Sequence, residues 1–138
     1  MADLAALRTS IAGMAKDVIN VSGVDSQNPP LPRWHGLANF VFGMVFAVGQ
    51  LEKLTPPEVH ALSLGYLQDA FRFHPDASVK IAEVFIKMSR DKVRFPTQNA
   101  IIHRGIDGHW QWQQGDTEGL RSNVQGILEA ADVLYAPE

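Results

Sequence analysis

The densest chemistry in this sequence is the run His103-Arg104-Gly105-Ile106-Asp107-Gly108-His109-Trp110-Gln111-Trp112. It gathers two imidazoles, a guanidinium, a carboxylate and two indoles. Imidazole and carboxylate are common metal ligands, but His-x5-His is not a recognised ligand spacing, and a glycine-rich turn is expected between the two histidines. An imidazole near a carboxylate can also transfer protons. No nucleophile elbow or second catalytic carboxylate accompanies it, so no catalytic residue is assigned. Trp and Arg are enriched at interface hot spots, and recognition often resides on segments presented by a rigid scaffold. His103, Arg104, Asp107, His109, Trp110 and Trp112 are therefore the candidate partner-binding set. The competing structural reading has the indoles closing off the core while the polar groups tie down an irregular crossing. A metal or enzymatic centre on His103, Asp107 and His109 is the alternative function.

Other polar groups carry less. Lys87, Arg90, Lys92 and Arg94 fall at the end of an expected helix, where cations complement the helix dipole. A phosphate site would need more charge or a glycine-rich loop before a helix. His35 and His60 read as scaffold histidines, and Phe40, Phe42, Phe46, Phe71, Phe73 and Phe85 as core. No Walker loop, dinucleotide fingerprint, H-E-x-x-H or EF-hand loop is present, and no cofactor is expected.

The elements that must position these groups are helical. Leu4, Leu7, Ile11, Met14, Val18 and Val21 recur at spacings of three and four, which predicts a first helix over 3–21 with Asp3 as N-cap. Its stripe is narrow, so a homodimer through this helix is left open beside packing on the domain's own core. Residues 22–33, with three prolines, read as a loop. A second helix over 34–54 is apolar almost all round and must be central. Thr55-Pro56-Pro57-Glu58 is a capping box for a third helix that His74-Pro75 ends. Asp76 is the expected cap of a fourth helix over 77–91. Past Arg94, a short helix over 98–104 capped by Thr97, a turn at 105–108, a few strand residues at 109–112 and a last helix over 117–135 are expected. The fold class is all-α: a single domain over 1–138, a bundle of about five to six helices around the apolar helix at 34–54.

Bulk properties narrow the function. The chain has 138 residues, no cysteine and a formal charge of −3. Without cysteine there are no disulfides, thiol nucleophiles or Cys-ligated metals, and the cytoplasm is the expected compartment. Without a basic excess, no nucleic-acid partner is expected. The first ten residues do not have the basic start and apolar run of a signal peptide. The stretch from Trp34 to Leu51 is interrupted by His35, Asn39 and glycines, which favours a buried helix over a membrane span, so no membrane partner is expected.

Two stretches carry a family resemblance: Trp34-His35-Gly36-Leu37-Ala38-Asn39-Phe40-Val41-Phe42-Gly43 and Pro96-Thr97-Gln98-Asn99-Ala100-Ile101-Ile102-His103-Arg104-Gly105-Ile106-Asp107-Gly108. With the helical spacing between them, they resemble small all-helical immunity proteins of bacterial polymorphic-toxin and contact-dependent secretion systems. The resemblance spans roughly residues 34 to 112. It implies a non-enzymatic protein that binds a cognate toxin in the producing cell's cytoplasm or periplasm, and neutralises it by covering its active site or blocking a required motion. It transfers no established site residues.

Overall fold

Asp3 opens α1 (Leu4–Ser22) by accepting a hydrogen bond from the Ala6 N–H at 3.1 Å. The stripe read from the sequence turns inward: Ile11, Met14, Ala15 and Val18 are all buried. The helix is thus packed on the protein's own core. A computed structural model describes residues 3–134, which form α1, α2 (Leu31–Leu51), α3 (Pro56–Asp69), α4 (Pro75–Arg90), α5 (Pro96–Gln113) and α6 (Thr117–Leu134). The architecture is a single all-α bundle.

The centre is α2. Leu37, Ala38, Phe40, Val41, Met44 and Val45 are fully buried, and α1, α3, α5 and α6 all pack on this helix. By composition α2 is long and apolar enough to cross a membrane, yet 78% of its most apolar window is buried within the bundle. A helix apolar on every side needs neighbours on every side, and here helices supply them. The helix starts at Leu31, earlier than expected, because Pro32 occupies its first turn, where no N–H is missed.

Small residues set the closest approach. A Cβ on Gly43 would overlap the Ile102 carbonyl and come within 3.0 Å of the Gly105 Cα; a Cβ on Gly105 would overlap the Phe40 carbonyl. A Cβ on Gly108 would strike the Phe40 ring. The helices α2 and α5 therefore cross nearly backbone to backbone. The helix expected over 98–104 is formed, and the expectation for residues 105–112 is corrected. The segment is neither a turn nor a strand; helix continues from Pro96 to Gln113. Gly105 and Gly108 are breakers in isolation, but tertiary packing against α2 holds them helical. Phe95, not Thr97, is the N-cap residue of α5.

Ion pairs and caps finish the bundle. Arg8 grips Asp69 through two bonds of 2.8 and 2.9 Å, joining α1 to α3. Arg33 grips Asp132 at 3.0 and 2.7 Å, joining α2 to α6. The capping box at Thr55 and Glu58 is formed as read. The α4 cap differs from expectation: His74 Nδ1 accepts the Asp76 N–H at 3.2 Å, so His74 caps where Asp76 was expected to. Val79, on α4, is 39% exposed. Tyr135, the expected end of the last helix, lies outside the described residues.

Candidate functional site

Because 103–112 is helical, its side chains sort by helical phase. Ala100, His103, Asp107, Trp110 and Gln114 recur at spacings of three and four and are all exposed. The opposite face holds Ile101, Ile102, Gly105, Gly108 and His109, all buried. Of the six candidates, the structure brings His103, Asp107 and Trp110 together on one outward stripe. Trp110 is 43% exposed, a large apolar area left in water. Asp107 and Trp110 border a shallow depression of about 580 Å³ with Gly119, Ser122 and Asn123 of α6.

The other three candidates hold that stripe in place. Arg104 lies against α6: its Nε donates to Asn123 Oδ1 at 2.7 Å and its Nη2 to the Asn123 carbonyl at 3.0 Å. Asn123 returns a bond from Nδ2 to the Arg104 carbonyl at 3.0 Å and another to Gln111 Oε1 at 3.1 Å. Gly126 leaves room for this guanidinium; a Cβ there would meet Arg104 Nη1 at 2.6 Å. Trp112 is part-buried, and its indole N–H donates to Asp17 Oδ2 on α1 at 2.8 Å. One face of α5 is thus fixed to α2 by shape and two others are pinned to α6 and α1 by polar bonds.

His109 is 4% exposed, and neither ring nitrogen has a hydrogen-bond partner. Its ring meets Trp110 edge-on, with centroids 5.2 Å apart. Burial pushes its pKa below the usual histidine range, so the neutral form is favoured. His103, Asp107 and His109 therefore do not converge: two face solvent and one faces the core. No group of three or more His, Asp or Glu among the described residues could hold a metal ion.

The two familiar stretches prove to be largely packing devices. Trp34 is buried, donates from Nε1 to the Phe71 carbonyl at 3.3 Å and meets the Phe71 ring edge-on at 4.8 Å. A Cβ on Gly36 would sit 3.1 Å from Ala131 Cβ, so this glycine lets α6 close on α2. Asn39 donates to the Gln98 carbonyl at 3.1 Å, tying α2 to α5. Asn99 donates to the Met88 and Ser89 carbonyls at 3.0 and 3.2 Å, satisfying the last turn of α4. Sequence reasoning missed Asn123, the hub between α5 and α6. A polar residue one position before Val124 on the core stripe was its one visible signal.

Fold and surface together define, over the described residues, a six-helix bundle that carries a polar and aromatic stripe on a helix packed against α2 and tied to α1 and α6. The chain belongs to the family described as Immunity protein 48, whose model matches residues 9–132, a family of polymorphic toxin systems. Comparison with curated proteins and with solved structures returns no match.

Proposed function

We propose that this immunity protein neutralises a cognate toxin by direct contact through the outward stripe of α5, with no chemistry of its own. His103, Asp107 and Trp110 make the contact. Arg104, Trp112 and His109 position the helix that presents them. The observation that carries the reading is the exposed Trp110 indole at the rim of a depression, on a helix whose other faces are immobilised. Hot spots are typically aromatic or Arg residues that the free protein already holds ready, since preorganisation lowers the entropy lost on binding.

Charge supports the same surface. Asp107 leaves an exposed carboxylate on the stripe beside Trp110. That charge suits a basic group on the toxin. The complex forms in the cytoplasm of the producing cell, before the toxin is exported. Co-expression with the toxin gene next to it tests the reading. Restored growth together with co-elution of the two proteins is the expected result. Continued killing without a complex refutes it.

A further inference from the structure

A second surface differs in charge from the α5 stripe. The C-terminal end of α2, the start of α3 and the end of α4 enclose a cleft of about 470 Å³. Its floor is apolar, with Phe42, Phe46, Val59 and Ile86, and Phe46 is 39% exposed. Gly49 admits α3 at this point, since a Cβ there would sit 2.9 Å from Val59 Cγ2. Lys53 and Arg90 stand at the cleft, and no carboxylate lines it. Neither cation has an ion-pair partner among the described residues.

Complementation of the helix dipole explains Lys87 and Arg90 in the last turn of α4. It does not explain an exposed phenylalanine beside them. Apolar surface ringed by one sign of charge matches an apolar anchor flanked by the opposite charge. We propose that this cleft is a second docking site, taking an acidic segment of the toxin that inserts one aromatic or aliphatic side chain over Phe46 while its carboxylates meet Lys53 and Arg90. The proposal rests on the toxin-binding reading above and deepens it: the toxin is gripped at two surfaces of opposite charge. Two weak sites on one partner raise affinity beyond either alone, provided both engage at once.

The test uses the full chain and the toxin domain encoded beside it, with affinity and salt dependence measured by titration calorimetry. The variants are Phe46→Ala and the charge reversal Lys53→Glu with Arg90→Glu; all three side chains are exposed, and melting curves confirm the fold. The expected result is at least a tenfold loss of affinity in each variant and a shallower salt dependence in the charge reversal, with melting unchanged. Wild-type affinity in the charge-reversed chain overturns the cleft while leaving toxin binding intact. If wild type itself forms no complex, toxin binding fails and the cleft with it. A charge reversal that abolishes self-association in light scattering, yet spares toxin affinity, assigns the cleft to a second copy and overturns the proposal. Saturable binding of decanoate that the reversal removes, with toxin affinity unchanged, does the same for an amphiphilic anion.

Discussion

Gly43 of α2 and Gly105 of α5 meet with no side chain between them; a Cβ on Gly43 would lie 3.0 Å from the Gly105 Cα and one on Gly105 would lie 2.9 Å from the Gly43 Cα. Everything proposed for the outer stripe depends on this crossing, because it decides that residues 103–112 are helical and which of them face water.

Gly105→Ala should therefore destabilise the protein, although alanine is the better helix former. The added methyl meets the Phe40 carbonyl, which is backbone and cannot rotate aside. Overpacking costs about 1–3 kcal/mol, and the propensity gain of about 1 kcal/mol does not cover a backbone clash. Gly13 is the control: it lies on the exposed face of α1 with nothing within 4 Å of a Cβ. Gly13→Ala should raise stability by about 0.5–1 kcal/mol. Thermal melts of the two variants should move in opposite directions.

Arg104→Ala should act on stability first. It leaves the Asn123 side-chain oxygen without its donor between α5 and α6, at a cost of about 1–3 kcal/mol. Arg104→Lys should recover little of this, since an ammonium cannot reproduce the forked contact with both Asn123 oxygens. Denaturant titrations check both; full stability in the alanine variant would mean that the clamp does not hold the helices.

Trp112→Phe keeps a smaller aromatic ring and removes the bond to Asp17 Oδ2. The pair lies near the surface, so solvent screens it, and a loss of about 1 kcal/mol is expected. A double-mutant cycle with Asp17→Ala, which removes the acceptor, isolates the coupling, which should vanish once either partner is gone.

Stability should fall on acidification. Burial holds His109 and His35 below the ordinary histidine pKa. As pH drops through about 6.5, the unfolded chain takes up protons before the folded chain does. The unfolded state is favoured over that window; at lower pH the carboxylates of Asp69, Asp132 and Glu58, whose pKa values are lowered by their hydrogen-bond partners, extend the loss. His109→Leu replaces two unpartnered nitrogens with an apolar side chain. It should flatten the pH dependence of the melting temperature between neutral pH and the carboxylate range, leaving the share due to His35 there, and should not lower stability at neutral pH. An unchanged slope would contradict this account of His109.

Much of this was legible in the residues. The α1 stripe, the central place of α2 and the capping box at Thr55 follow from spacing and local chemistry, and each is formed. Local chemistry misled where tertiary contact overrides it. Gly105 and Gly108 read as a turn because a sequence does not show that Phe40 and Gly43 wait opposite them. The alternation in His109-Trp110-Gln111-Trp112 was too short to tell a strand from a helix. A stripe of Ile101, Gly105, Gly108 and Trp112 at helical spacing was the available clue. At Pro75 the imidazole of His74, two residues before Asp76, took the capping role expected of Asp76. The six candidate residues were gathered by proximity in sequence, which does not distinguish the faces of a helix; the structure divides them into presenters and supports.

The most direct test is the affinity of Trp110→Ala for the proposed cognate toxin, set against wild type by titration calorimetry, with melting curves alongside. The account predicts a loss of about 2 kcal/mol, roughly a thirtyfold weakening, and an essentially unchanged melting temperature. Wild-type affinity in a fully folded Trp110→Ala chain would contradict it.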